Sequence, residues 1–242
     1  MTAYQERSYR ISCRAGGLAA FTARVKETDL WIMAERDLRA QAVEIIMALR
    51  LGLEAYIRAR PEFVDALTPL ADDDLAPPLV RRMLTAGRAA GVGPMAAVAG
   101  AMAQATATAL QEHSQAVAVE NGGDVYLDAG RDLTIGLFAG ASPLSGRLGL
   151  RVAATAQPLA VSTSSGTVGH SLSLGRADAA TIIAADAALA DAAATALGNR
   201  VRAAADLRPA LEWAAGVHGV LGALAIIGGD IAAWGQVELV EL

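Results

Sequence analysis

Residues 161–199, VSTSSGTVGHSLSLGRADAATIIAADAALADAAATALGN, constrain the fold of this chain more than any other stretch. An apolar run enters a small polar loop, Thr163-Ser164-Ser165-Gly166-Thr167, and His170 follows it. Ala179 to Ala184 then reads as a short apolar strand. The spacing predicts a helix from about Ala185 to Ala196, stopped by Gly198-Asn199. That helix is mostly alanine, so another helix or a sheet must pack closely on it. Asp191 and Thr195 interrupt the alanines four residues apart and therefore share one helix face. A polar loop, a histidine and a carboxylate–hydroxyl pair can together make a phosphate and metal site. Each also has a plainer reading: a strand connection, a structural histidine and a solvated helix face.

The rest of the chain supplies layers for that stretch to pack on. Tyr4 to Cys13 and Leu18 to Ala34 read as strands of an antiparallel meander, with turns at Gly16-Gly17 and Glu27-Thr28-Asp29. From Asp37 to Arg60, apolar residues recur at a 3.6-residue period (Leu38, Ala42, Ile45, Ile46, Leu49, Leu53), which predicts a helix ended by Pro61. Residues 61–78 form a surface excursion whose acidic run, Asp72-Asp73-Asp74, is either a metal site or a solvated loop. A helix is expected from Leu79 to Ala90, ended by Gly91, and another from Pro94 to about Gln111. The second is built almost wholly of small residues, so a backbone or a ligand can come very close to it.

Asn121-Gly122-Gly123-Asp124, between two apolar runs, is a strong hairpin signal, and Gly228-Gly229-Asp230 repeats the pattern. Both aspartates are expected to serve mainly as hairpin residues. Further strands are expected at 133–138, 148–154, 159–163, 221–227 and 237–242, and a short helix at Leu207–Trp213. The fold class is therefore α+β, antiparallel sheets packed against helices, with no linker that divides residues 1–242.

Composition excludes several functions. A chain with 54% hydrophobic and 19% charged residues builds a large core. The net charge is −5 and the only lysine is Lys26, which disfavours nucleic-acid binding. The apolar stretches are interrupted by polar residues and glycines, so none reads as a membrane span. One cysteine, Cys13, and an N-terminus without an apolar signal core point to a cytoplasmic protein. His113 and His218 show no partners, and no His/Cys cluster suggests zinc.

Taken together, these residues resemble the FAD:protein FMN transferases, the ApbE-like family. The match lies in Asn121-Gly122-Gly123-Asp124 for an N-x-G-G-D hairpin, in Thr163-Ser164-Ser165-Gly166 for a T-S-G loop with one extra serine, and in His170 after it. Its most specific part is Ala190-Asp191-Ala192-Ala193-Ala194-Thr195-Ala196-Leu197, against A-D-A-L-A-T-A-L. Gly100-Ala101-Met102-Ala103-Gln104-Ala105 is similar to a G-G-I-A-K-G segment, with Gln104 where the family has lysine.

The resemblance covers about residues 93–242 and is closest to a cytoplasmic ApbE-like subgroup. It implies a T-fold-like architecture and Mg²⁺ held by Asp191, Thr195 and the Ala103 carbonyl. It also implies FAD or another nucleotide as ligand, held by Thr163–Thr167 and Asn121–Asp124, with His170 as proton carrier. FMN would pass to a threonine or serine of a protein acceptor. The alternative is a non-catalytic or differently specific nucleotide-binding protein of the same fold; a homo-oligomer is open in either case. The metal reading requires a free Ala103 carbonyl, hence a helix broken or just beginning near Gly100. It expects Asp191→Ala to leave the fold intact.

Overall fold

The computed structural model describes residues 17–166 and 174–242. Eleven strands and six α-helices follow the chain as β1 (Ala19–Val25), β2 (Thr28–Ala34), α1 (Arg39–Ala59), α2 (Glu62–Asp65), α3 (Pro78–Ala90), α4 (Val98–Leu110), β3 (Val117–Asn121), β4 (Asp124–Asp128), β5 (Leu133–Gly136), β6 (Leu148–Val152), β7 (Leu159–Ser164), β8 (Ala179–Ala184), α5 (Ala187–Arg200), α6 (Leu207–Ala215), β9 (Val220–Ile227), β10 (Asp230–Gly235) and β11 (Leu239–Glu241). The expected α+β class is what the chain adopts.

Eight strands pair antiparallel in the order β1-β2-β3-β4-β7-β8-β9-β10, and β11-β6-β5 form a second, smaller sheet. Strand residues alternate between two faces. On one face of the large sheet, Ile32, Val119, Tyr126, Ala160, Ile182 and Ala223 pack against the helices. On the other, Leu127, Val161, Ile183 and Leu224 meet Leu137, Leu150 and Val152 from the small sheet and its approach. The result is helices, large sheet and small sheet in three layers.

Helix α5 lies deepest among the helices, and its alanines are the reason: Ala187, Ala188, Ala190, Ala192, Ala193, Ala194 and Ala196 are all buried. Helix α4 packs on it with equally small side chains. Gly100 shows how close the two come, since a Cβ there would sit 2.1 Å from the Ala187 carbonyl oxygen.

Three sequence expectations change. Helix α5 does not stop at Gly198-Asn199 but runs to Arg200. The glycine that close packing requires there is Gly175: a Cβ on it would lie 1.8 Å from the Gly198 carbonyl oxygen. Strand β10 was not anticipated, because it is a mostly exposed edge strand that lacks an alternating apolar pattern. The strand expected at 237–242 is shorter, Leu239–Glu241, and pairs with β6 in the small sheet. The strand expected at Tyr4–Cys13 lies outside the described residues.

Candidate functional site

Helix α4 begins with no cap of its own. A short 3₁₀ turn, Pro94–Ala97, precedes it, and the N-cap Ala97 has no side chain that could accept from the first-turn amides. Asp191 supplies the missing acceptor from α5: the Gly100 N–H donates to its Oδ2 at 2.9 Å. The Ala99 amide also lowers the proton affinity of the same carboxylate. Asn121 completes the junction by donating its side-chain amide to the Ala99 carbonyl at 3.1 Å. A carboxylate at a helix N-terminus is electrostatically favoured.

A second carboxylate stands against the first. Asp124 opens β4 and is buried. It lies on the helix-facing side of the sheet, two residues before Tyr126. Protein packed around Asp191 and the nearby charge of Asp124 together push the Asp191 carboxyl well above its usual range, against the opposing Gly100 and Ala99 N–H groups. The two Gly-Gly-Asp turns are therefore not alike: Asp230 is exposed, whereas Asp124 belongs to a carboxylate pair. Local turn chemistry hides this difference, because only the register of β4 and β7 brings residue 124 under α5.

Thr195 lies one turn beyond Asp191. Along α5, Asp191, Thr195 and Asn199 keep partial exposure while the alanines between them are buried. That polar stripe runs toward Leu174, whose N–H donates to Asn199 Oδ1 at 2.7 Å. Gly166 is at the same end, its N–H donating to the Ala177 carbonyl at 2.9 Å. Thr167 and His170 fall outside the described residues.

The other expected site residues divide. Asn121, Gly122, Gly123 and Asp124 form the expected two-residue turn, and Gly123 is forced by the approach of the Thr163 carbonyl oxygen, 2.4 Å from where a Cβ would be. Thr163 and Ser164 are the last residues of β7 rather than loop, and Ser165 and Gly166 follow. The Thr163 hydroxyl shares a hydrogen bond of 2.9 Å with Thr181, which places it on the sheet face away from α5. Ala103 sits in the second turn of unbroken α4, its carbonyl inside the helical ladder. The break that the metal reading requires falls at Ala97–Val98.

Gln104 is the residue that sequence reasoning treated only as a departure. Its Oε1 accepts the Ala187 N–H at 2.8 Å, and its side chain also hydrogen-bonds the Tyr126 hydroxyl. It clamps α4 to the start of α5 and to β4. Gln104→Leu removes a partner from both groups at once, and one unsatisfied buried group costs about 1–3 kcal/mol. The variant is expected to melt several degrees lower, as read by thermal unfolding. An unchanged melting temperature would show that the clamp is idle.

Two features of the site fit a hard divalent cation. Two carboxylates are held together in a desolvated place, and one hydroxyl, that of Ser162 in the strand beside Asp124, is fully buried without a partner among the described residues. Among the described residues there is no cluster of three or more His, Cys, Asp or Glu, so hydroxyls or a phosphate ligand would complete the set. The acidic run at 72–74 is not such a place. Asp72 pairs with Arg88, and Asp73 accepts from Tyr56 at 3.1 Å and from the Leu75 N–H at 3.0 Å.

The raised carboxyl has a testable consequence without cation. Between the ordinary carboxylate value of 3.8 and the raised native one, the folded state holds a proton that the unfolded state has released. Stability from this group is therefore lost as pH rises through the native value. Denaturant titrations in a chelator, from pH 4 to 8, are expected to show Asp191→Asn gaining on the wild type as pH rises. A gap between the two that does not change with pH would contradict the carboxylate pair.

A family model described as "AbpE bacteria" matches residues 10–233. The chain belongs to this ApbE-like family. Similar proteins include the UPF0280 protein of Methanocella arvoryzae, 41% identical over 88% of this chain and 86% of that one. Another is the UPF0280 protein of Methanocaldococcus jannaschii, 39% identical over 90% of this chain and 91% of its own length. Among solved structures, the ApbE protein of Thermotoga maritima superposes with a TM-score of 0.55 over 89% of this chain and 96% of that one, at 16% identity. The flavin transferase ApbE of Vibrio cholerae does so with a TM-score of 0.51 over 90% and 97%, at 13% identity. These two share the fold. The ApbE-like match also reaches back to residue 10, well beyond the 93–242 span expected from motifs alone. Among the described residues, no helix is long and apolar enough to cross a membrane.

Proposed function

We propose that this ApbE-like chain is a Mg²⁺-dependent flavin-nucleotide enzyme that splits FAD and passes FMN to a threonine or serine of a protein acceptor. One observation supports the reading: Asp191, which takes the Gly100 N–H at the start of α4, feels the charge of Asp124 in β4, and Thr195 stands one turn along on the same part-exposed face of α5. When bound, a divalent cation there would neutralise pyrophosphate charge. Asp191 and Thr195 would hold it, with Asp124 beside them.

The chain's own groups divide the remaining work. Asn121 and Asp191 together hold the α4 N-terminus in place. The acceptor hydroxyl would attack the FMN phosphorus, the P–O bond to AMP would break, and the hydroxyl proton would pass to a base, for which His170 is the candidate. A cytoplasmic setting belongs to the same reading.

A second reading has one observation in its favour. Gln104, where the family carries lysine, is committed to holding Ala187 and Tyr126 together. A protein that binds the nucleotide without transferring it would tolerate that commitment. Incubation with FAD, Mg²⁺ and threonine- and serine-bearing acceptor peptides, followed by chromatography of the products, separates the two. Release of AMP supports the enzyme; retention of intact FAD supports the binding protein; no flavin interaction at all overturns both.

A further inference from the structure

The Ser162 hydroxyl has no role in the reading above, yet it is the most anomalous polar atom near the site. Ser162 has no solvent exposure, and its Oγ has no hydrogen-bond partner among the described residues. A buried hydroxyl left in that state costs about 1–3 kcal/mol, so a use for it is expected.

Its position says what the use is. Ser162 of β7 is the direct register partner of Asp124 in β4 and of Ile182 in β8. Non-adjacent neighbours in β7 set its direction: Ala160, two residues earlier, packs on the helix side, while Val161 packs on the other. Ser162 and Asp124 therefore stand side by side on the face covered by α5, with side chains within about 4.5–5.5 Å at Cβ. Asp124 in turn acts electrostatically on Asp191. The register pair Ser162–Asp124 and the Asp124–Asp191 interaction thus link three oxygen-bearing side chains at the junction of α5, β4 and β7, among buried alanines.

We propose that the Ser162 hydroxyl is an oxygen ligand of a divalent cation bound between Asp124 and Asp191. The inference rests on the cation reading of that site and adds a ligand to it. A neutral hydroxyl suits the position: a third carboxylate would add repulsion to a pair already disfavoured, whereas a hydroxyl offers a lone pair without charge.

The test measures Mn²⁺ and Mg²⁺ binding by calorimetry and Mn²⁺ resonance, with Cys13 replaced by serine in every variant. Ser162→Ala is expected to keep or raise the cation-free melting temperature while weakening Mn²⁺ binding about tenfold, the lower end for loss of a supporting group at a metal site. Ser162→Cys puts a soft thiol at the same place and is expected to shift preference from Mg²⁺ toward Cd²⁺. It decides the matter even if Ser162→Ala fails to fold. Wild-type Mn²⁺ affinity in Ser162→Ala, together with loss of binding in Asp191→Asn, overturns the Ser162 assignment alone. Wild-type affinity in both variants overturns the cation site itself.

Discussion

Gly100→Ala is expected to lower the melting temperature by roughly 6–12 °C, although alanine is the better helix former. In an open helix interior, replacing glycine with alanine gains up to about 1 kcal/mol. Here the new Cβ would meet the Ala187 carbonyl oxygen at 2.1 Å and the Asp191 Cβ at 2.9 Å, and the first of these is backbone. Helix α4 must then move off α5. Overpacking of this kind costs about 1–3 kcal/mol, and a rigid backbone obstacle lies at the upper end or beyond. For a chain of this length, each kcal/mol shifts the midpoint by about 2–4 °C. Separation of the helices also pulls the Gly100 N–H from Asp191, so cation binding is expected to weaken with stability. Calorimetry of the variant gives the first quantity. A rise in melting temperature would mean that the helices are not in contact at Gly100.

Asp191→Asn is expected to have the largest effect on ligand response. The sequence alone gave Asp191 no structural partner and so implied that its removal would leave the fold untouched. The structure corrects this: Asp191 caps α4 through the Gly100 N–H. Truncation to alanine would confound loss of the cap, worth about 0.5–2 kcal/mol, with loss of a cation ligand. Asparagine keeps an oxygen for the Gly100 N–H and removes only the charge. It also relieves the repulsion with Asp124. The variant is therefore expected to fold at least as stably as the wild type near neutral pH without cation, and to lose the cation-dependent part of its stabilisation.

What the sequence revealed, and what it hid, follows from the range of the interactions involved. The 3.6-residue period of 37–60 and Pro61 after it are local, and α1 runs where they place it, over Arg39–Ala59. Asn121-Gly122-Gly123-Asp124 carries its turn chemistry within four residues, and the hairpin forms there, with Gly122 at a φ of 78°. Gly91, at a φ of 75°, ends α3 as expected. The misreadings are of another kind. Gly198 resembles a helix stop, but α5 continues through it to Arg200. Strand β10 has no buried face to impose an alternating pattern, so nothing in Asp230–Gly235 announces it.

At the site, the Asp191–Thr195 spacing was legible because one helix holds both. The Asp124–Asp191 pair was not, because it depends on the register that aligns Asp124 with Ser162 and on α5 crossing above. The same holds for Gln104, whose partners Tyr126 and Ala187 are distant in sequence. A polar residue inside a helix of otherwise small side chains is the one signal that could have drawn attention to it. Thr163 shows the converse. As a member of a polar loop it reads as a phosphate ligand, but strand alternation turns its hydroxyl to Thr181 on the opposite face.

The central claim is that a divalent cation and a flavin nucleotide meet at Asp191. Its most direct test is the thermal shift of wild type and Asp191→Asn with FAD, with Mg²⁺, and with both. A ligand present at about 100 times its dissociation constant adds roughly 2.7 kcal/mol, or about 5–10 °C for a chain of this size. The wild type is expected to show its full rise with FAD and Mg²⁺ together, and Asp191→Asn to show no more than it does with FAD alone. An equal Mg²⁺-dependent rise in both proteins would contradict the account.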